Sequence, residues 1–514
     1  MTDWNQWIEQ CQDSHFRNDC TDLPWIDASE RIESCILALE QNITSSHQTN
    51  ALHGQREDDG LSYSYQVAKT ESGDVEQCTE KDLYDVRDMA DVTLASRELL
   101  GILRFLRIVC VDCEANQNQC HHFDILSKVH RVLRSCSEWI DIEDKAIQNQ
   151  FVRIIQVALQ FSVNYLVRNK ANQDKAWKLF FPDGVQKLLV ECHAHRKVVA
   201  FTVALLYNCV HAQENLREDL VSCRSLLVTL LHRFFGTESK AVDTSGEESE
   251  TPADPAKEWL WILFRYLYNC GHFSDIYNSM GANLLSKLCS RVTPEQLIFL
   301  RVMEQLIQAK DTSANTEESN DHLQDIYEFA INVFKILIQQ SDDDRPEDTE
   351  EARKLVWLGL ENESKLLLLN ILGHLSQLDL IRMLASSEGL VCLLIHELHR
   401  QWELDPQSTR SNFKTNKEGD IRVPPGYRSH MIAVIGNLCY RARVHQDLLR
   451  RLGGIPLVLN HCIIDERNPL IREWSLVAIR NICEDNAENQ QFIASLKQQD
   501  AGTDSTCAHS QQLS

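Results

Sequence analysis

The residues best suited to metal chemistry lie in one short stretch. Cys110, Cys113 and Cys120 are followed directly by His121 and His122. Thiolates at CxxC spacing with nearby imidazoles are the ligands of structural zinc. Cys110 and Cys113 also stand at i, i+3 in the apolar run LGILRFLRIVCVDC, where a buried helix face accounts for both. We therefore predict no metal site and no cofactor, and keep zinc as the alternative.

Catalytic motifs are incomplete wherever they begin. Residues 396–399 read HELH, but Arg400 stands where a zinc-protease helix needs its second histidine. His193 and His195 are two residues apart and would face different ways on a helix. The sequence holds no GxSxG, GxxxxGK[ST] or GxGxxG motif. We predict that the chain is not an enzyme and has no catalytic residues.

Composition narrows the class of protein. The 514 residues are 43% hydrophobic, with only 18 Gly and 11 Pro, which disfavours a many-turned β architecture. The formal charge of −24 argues against a nucleic-acid-binding protein. The 18 cysteines are scattered through apolar segments, as expected of small core residues in a reducing compartment. With no signal peptide and no long apolar run, we expect a soluble cytoplasmic protein.

A phrase recurs at least four times: an apolar helix ends at an asparagine, and a polar turn with Gln or Asn follows. The key residues are Asn164, Asn208, Asn437 and Asn481. Within each of the two pairs the asparagines are 44 residues apart. Asn269 and Asn370 are weaker copies at irregular spacing. Such a period predicts an all-α fold, an armadillo-like helical repeat superhelix (α-solenoid).

A second recurring element places Gly before an apolar helix, at Gly184, Gly389 and Gly453. A left-handed Gly ends one helix, and a further helix carrying Asn completes an armadillo-like unit. In the helix predicted at 470–483, Ile471, Trp474, Ala478 and Ile482, with Val477 beside them, form the apolar face.

Breaks in the apolar pattern give the predicted domain organisation. Acidic insertions interrupt the repeats at 237–256, 311–321 and 341–351. The predicted segments are N-terminal helices at 1–45, a flexible polar linker at 46–82, armadillo-like repeats at 83–400, a C-terminal domain at 401–496 and a disordered tail at 497–514.

The recurring asparagines have two interpretations. Each side chain can bond the backbone of an extended peptide, or it can tie down the turn that follows it. A Trp four residues before each Asn would favour peptide clamping, but those positions hold Gln160, Ala204, Ala433 and Val477. We therefore favour the turn and disfavour the alternative function, a transport receptor that carries peptide cargo.

The C-terminal repeats are basic in an otherwise acidic chain. Between residues 421 and 483 there are nine arginines and four acidic residues. Arginines bind carboxylates or phosphates in bidentate fashion, although helix packing can also spread solvated arginines over several faces. An acidic partner, a phosphorylated segment or another copy of the chain would fit such a patch. The predicted binding residues are Asn437, Arg441, Arg443, Arg450, Arg480 and Asn481.

Residues 429–496 contain IGNLCY, QD, GGIPLVLNHC, NP, EW and AIRNICEDNAENQ in this order. In these motifs the segment resembles the C-terminal domain of the ataxin-10 family. The resemblance implies a non-enzymatic armadillo-like scaffold linked to cytokinesis, neuronal survival and neurite outgrowth. It also implies protein partners, among them the O-GlcNAc transferase, a G-protein β subunit, mitotic kinases and ciliary proteins. A perinuclear, centrosomal or midbody location within the cytoplasm would agree with these roles.

Overall fold

The structure is a computed structural model, and it describes residues 2–19, 23–53, 80–211, 213–235, 254–281, 291–310, 322–339, 351–404 and 423–496. All regular secondary structure in these ranges is α-helical. The chain divides into two compact units, Met1–Ser279 and Met280–Ser514. The predicted all-α helical-repeat class is confirmed within each unit.

Unit 1 contains helices of 6 to 30 residues. They are α1 (Trp4–Gln10), α2 (Ser14–Asp19), α3 (Trp25–His53), α4 (Glu80–Val109), α5 (Glu114–His122), α6 (Ile125–Glu138), α7 (Lys145–Leu166), α8 (Lys170–Phe180), α9 (Asp183–Glu191), α10 (Arg196–Val210), α11 (Glu214–Ser222), α12 (Arg224–Phe235), α13 (Pro255–Asn269) and α14 (Phe273–Gly281), whose last two residues fall in unit 2.

Unit 2 is built of helices as well. Its helices are α15 (Pro294–Lys310), α16 (Leu323–Gln339), α17 (Glu351–Leu375), α18 (Asp379–Arg382), α19 (Ala385–Leu404), α20 (Tyr427–Cys439), α21 (Arg443–Arg451), α22 (Gly454–Asn460), α23 (Ile471–Cys483) and α24 (Ala487–Ser495).

One series of helices forms the spine of each unit. In unit 1, α4, α7, α10 and α13 each pack against the next. In unit 2, α17 packs against α20, and α20 packs against α23. These helices bury apolar residues on several sides; Phe151, Ile154, Ile155, Ala158 and Phe161 of α7 are fully buried. A repeat that cannot bury its apolar face alone is stabilised by its neighbours in this way.

Glycine permits two close approaches in unit 2. A Cβ atom on Gly436 of α20 would lie 3.1 Å from Cα of Ala478 on α23, so these two helices touch backbone to backbone. A Cβ atom on Gly454 would lie 2.8 Å from Cδ1 of both Ile395 and Leu449. Gly453 is left-handed (φ 69°) and begins α22, as the sequence predicts. Gly184 and Gly389 lie inside α9 and α19, so that part of the prediction is wrong for them.

The prediction for the face of α23 is partly wrong. Ile471, Ala478 and Ile482 are buried, but Trp474 is 38% exposed and Val477 is 42% exposed. Both positions therefore lie outside the buried face of α23.

Several segments that the sequence predicts lie mostly outside the described residues. Helix α3 continues to His53, and α4 begins at Glu80; most of the predicted linker, 54–79, lies outside the described residues. Most of each acidic insertion and the tail at 497–514 lie outside them as well. Among the described helices, none has a long enough apolar stretch to cross a membrane.

Candidate functional site

The recurring asparagines tie each repeat to the one before it. Each side-chain amide donates to a backbone carbonyl of the preceding spine helix. The four bonds run from Asn164 to Arg107 (2.8 Å), from Asn208 to Val163 (3.1 Å), from Asn437 to Gly373 (3.0 Å) and from Asn481 to Gly436 (3.0 Å). The bond therefore fixes the register between stacked helices rather than the turn that follows. The role of Asn437 and Asn481 in binding stays a prediction.

The two weaker copies, Asn370 and Asn269, do not form this bond to a backbone carbonyl. Asn370 donates to the carboxylate of Glu304 (2.7 Å) instead of a backbone carbonyl. Asn269 is exposed, and its side chain has no hydrogen bond to any described residue. Irregular spacing in the sequence thus goes with loss of the inter-repeat bond.

The polar turn is held by a different set of side chains. An amide or imidazole in the first turn of the next helix donates to the carbonyl seven residues earlier. Gln117 reaches Cys110, Gln173 reaches Leu166, His445 reaches Leu438, Gln446 reaches Cys439, Asn489 reaches Ile482 and Gln490 reaches Cys483. These bonds satisfy the carbonyls that a helix C-terminus leaves without partners.

The corner of this turn is a left-handed residue that is not glycine. It stands four residues after the key asparagine, at Arg168 (φ 56°), Arg441 (φ 51°) and Asp485 (φ 53°). Positive φ is uncommon outside glycine, so these positions carry backbone strain. The sequence signal for these left-handed residues is their constant spacing of four positions from the key asparagine. A pattern based on glycine does not contain it.

Two of the predicted binding arginines form ion pairs and hydrogen bonds that link α21 to α24. Arg443 contacts the Glu488 carboxylate, the Asp485 carbonyl (3.0 Å) and Asp447 (3.1 Å). Arg450 contacts Asp447 (3.0 Å) and the side-chain oxygen of Asn489. Burial alone would raise the pKa of Asp447, but hydrogen bonds from Asn486 and Arg443 lower it. These guanidiniums are already neutralised within the domain.

The remaining arginines are not a single patch. Arg428 forms a buried ion pair with Asp465 (2.9 Å). Arg441 is exposed, and its guanidinium lies 5.0 Å from the centroid of the Tyr440 ring. Arg480 is exposed and its side chain has no hydrogen bond or ion pair to any described residue, while Arg422 lies outside the described part of the chain. Of the four predicted arginines, Arg441 and Arg480 thus remain without a carboxylate partner.

Arg480 borders an apolar surface that we call the terminal face. It consists of the exposed residues Leu470, at the N-cap of α23, and Trp474, Leu476, Val477 and Arg480 along the helix. The four apolar members are 62%, 38%, 53% and 42% exposed in that order. Large contiguous apolar patches are rare on the surface of monomeric proteins, so an exposed apolar surface of this kind indicates a contact surface.

The cysteine and histidine residues of the zinc alternative are otherwise engaged. The Cys110 and Cys120 sulfurs are 3.6 Å apart in the core, and burial raises the pKa of the Cys110 thiol well above its usual range. His121 Nδ1 hydrogen-bonds to Asn172 (2.8 Å) and Tyr165 (3.2 Å). Among the described residues, no three His, Cys, Asp or Glu side chains are grouped to hold a metal ion.

The HELH histidines point away from their glutamate. Glu397 is buried and accepts hydrogen bonds from Tyr427 (3.2 Å) and Gln401 (2.8 Å), whereas His396 and His399 are exposed. The three side chains cannot converge on one ligand.

Comparison with known proteins agrees with the C-terminal motifs. A family model described as the spinocerebellar ataxia type 10 protein domain matches residues 427–512, which include α20–α24. Ataxin-10 of Macaca fascicularis and of Homo sapiens are each 25% identical over 412 residues, covering 77% of this chain and 75% of theirs. The resemblance to the ataxin-10 family that the sequence motifs indicate is thereby confirmed.

The similarity to the ataxin-10 family extends well beyond the C-terminal domain. The ataxin-10 homolog of Dictyostelium discoideum is 26% identical over 443 residues, covering 66% of this chain and 71% of that protein. Family membership fits a non-enzymatic helical scaffold.

Proposed function

We propose that this ataxin-10 family chain is a non-enzymatic scaffold that joins proteins through its helical surface and pairs with a second copy through the terminal face. The exposed apolar side of α23 is the observation that carries the proposal. Cytokinesis, neuronal survival and neurite outgrowth are the roles we propose for it. The proposed partners are the O-GlcNAc transferase, a G-protein β subunit and mitotic kinases, in the cytoplasm at perinuclear, centrosomal or midbody sites.

The charges on α23 suit a two-fold contact. Glu473 and Arg480 are both exposed, and they stand at equal distances in sequence from the point between Leu476 and Val477. Two α23 helices packed antiparallel about a two-fold axis would place Arg480 of each copy beside Glu473 of the other. A two-fold interface requires this kind of self-complementary surface.

Charge reversal at these two positions should change the affinity of self-association by a predictable factor. Each dimer would contain two Arg480–Glu473 contacts, so one reversal replaces two attractions by two repulsions. We expect Arg480→Glu and Glu473→Arg each to weaken self-association by about tenfold. The double variant Glu473→Arg/Arg480→Glu restores the attraction with opposite polarity, and its affinity should return to within about twofold of the natural protein.

Sedimentation velocity over a range of concentrations tests this proposal. Trp474→Glu/Val477→Glu should be monomeric, because charges would be buried in the apolar contact. Val190→Glu/Ile336→Glu is the matched control, since these residues are exposed to a similar degree on α9 and α16. A natural protein that stays monomeric at high concentration, or a charge swap that fails to restore association, contradicts the two-fold contact.

The wider scaffold role needs a separate measurement. Proteins captured from cell lysate by the natural chain and by Arg441→Glu/Arg480→Glu should differ, because these exposed arginines lack carboxylate partners. Identical sets would remove the C-terminal arginines from the proposal.

A further inference from the structure

A group of arginines in unit 1 has no counter-charge, and neither the sequence patterns nor the family comparison draws attention to it. We call Arg104, Arg107 and Arg153 the arginine cluster. Arg104 and Arg107 stand at i, i+3 on α4, and Arg153 comes from α7, which packs against α4. The cluster belongs to two adjacent spine helices.

The contacts within the cluster are few and neutral. Arg107 Nη1 donates to Gln160 Oε1 on α7 (2.6 Å). Arg104 is half-buried and Arg153 is exposed, and neither side chain forms a hydrogen bond or ion pair with any residue that the structure describes. Burial, followed by the positive charges of Arg153 and Arg107, lowers the pKa of Arg104. A half-buried cation beside like charges is unfavourable unless an anion compensates it.

The helix segments that carry the arginine cluster contain no acidic residue that could supply this anion. Helix α7 has no Asp or Glu among its 22 residues, α10 has none among its 15, and the last eleven residues of α4 (99–109) have none. Arg97, which is exposed and also unpaired, lies two turns before Arg104 on the same side of α4. In a chain with a net charge of −24, three acid-free helix segments side by side are a local reversal of sign.

The spacing of the cluster suits an extended peptide. Packed helices lie about 8–10 Å apart, which an extended chain covers in about three residues. Residues i and i+2 of an extended chain point to the same side, about 7 Å apart. Acidic residues at alternate positions would thus meet guanidiniums from both helices. Arginine binds such carboxylates in bidentate fashion.

Asn164 adds a backbone acceptor beside the cluster. Its amide nitrogen donates to the Arg107 carbonyl, whereas its half-exposed side-chain oxygen has no hydrogen-bond partner among the described residues. A peptide N–H can donate to this oxygen. The guanidiniums supply charge recognition, and Asn164 supplies a contact that does not depend on peptide sequence.

We propose that the arginine cluster binds an extended peptide of a partner protein with Asp or Glu at alternate positions. This surface is distinct from the terminal face and does not depend on self-association. It gives the scaffold a site for acidic clients in unit 1.

Fluorescence anisotropy with the full chain and a labelled peptide of alternating Glu and Ser tests the proposal. Arg104→Gln/Arg153→Gln should bind the peptide at least about tenfold more weakly than the natural chain. Lys170→Gln/Lys178→Gln is the matched control, because both lysines are exposed and unpaired on α8 and the charge change is the same. The control should stay within about twofold of the natural chain. Binding should also weaken as salt rises.

Three results would overturn the proposal, provided circular dichroism shows that each variant is folded. The first is no saturable binding of the Glu peptide below about 1 mM. The second is equal loss in the arginine and lysine variants. The third is tighter binding of a single-stranded RNA that displaces the peptide. Arg480→Glu should bind the peptide as the natural chain does, which separates this result from the terminal-face proposal.

Discussion

Loss of the buried Gln446 side-chain amide should lower the opening free energy of the C-terminal repeats more than loss of an exposed amide does. Gln446 is 2% exposed, and its Nε2 lies within hydrogen-bond distance of the carbonyls of Cys439 (3.1 Å), Asn481 (2.9 Å) and Glu484 (3.2 Å). Its Oε1 accepts from Asn486 (3.0 Å). One side chain thus joins the ends of α20 and α23 to the turn before α24. Gln446→Met keeps an unbranched side chain of similar volume and removes the amide.

The expected cost follows from the groups left without partners. At about 1 kcal/mol for each of the two hydrogens that Nε2 donates and for the bond that Oε1 accepts, the opening free energy of the C-terminal repeats should fall by about 3 kcal/mol. The matched control is Gln490→Met, at the equivalent position 44 residues later. Gln490 is exposed and makes one bond, to the Cys483 carbonyl (2.9 Å), so its loss should cost less than about 1 kcal/mol.

Hydrogen–deuterium exchange measured by mass spectrometry is the suitable assay, since a chain of two units need not unfold in one step. Amides of α23 and α24 should exchange about 100-fold faster in Gln446→Met, whereas amides of α10 serve as an internal reference. Equal exchange in the Gln446→Met and Gln490→Met variants would refute the reasoning. It would mean that the turn is stabilised by apolar packing and not by the amide.

Three further outcomes follow from the same contacts. Asn481→Ala removes the bond to the Gly436 carbonyl and should cost about 1–2 kcal/mol in urea unfolding, whereas Asn269→Ala should stay within about 0.5 kcal/mol; similar costs would contradict the inter-repeat tie. Gly454→Ala should destabilise unit 2 by about 1–3 kcal/mol, because its Cβ would lie 2.8 Å from two buried methyl groups; an unchanged urea midpoint would show that they move aside. Burial lowers the pKa of His461 to about 4 from 6.5, so the unfolded chain binds this proton first and stability should fall by about 3 kcal/mol as pH drops from 7 to 4. His461→Gln should remove that part of the pH dependence, and an identical profile would assign it to other groups.

The sequence alone determined the class of fold and the presence of repeats. Apolar residues at helical spacing, few Gly and Pro, and asparagines 44 residues apart are local properties that any stacked helical array must satisfy. The C-terminal motifs were equally local, and they were sufficient to indicate the ataxin-10 family. The left-handed Gly453 was predictable for the same reason.

The roles of the polar residues depend on contacts between segments that are far apart in the chain. Asn164 and Asn208 bond carbonyls 57 and 45 residues earlier, which no local pattern can show. Arg443 and Arg450 look as available in the sequence as Arg480, yet the packing of α21 against α24 pairs them with acidic and amide groups. Charge pairing depends on distances of a few ångströms between segments far apart in the chain.

The arginine cluster, too, depends on distances between segments that are far apart in the chain. Arg104 and Arg153 are 49 residues apart in the sequence, and each is unremarkable in its own helix. Their shared lack of a carboxylate becomes visible only when α4 lies against α7. The sequence thus determines which helices form and that they repeat. The packing of those helices determines which charges are neutralised and which remain free to bind.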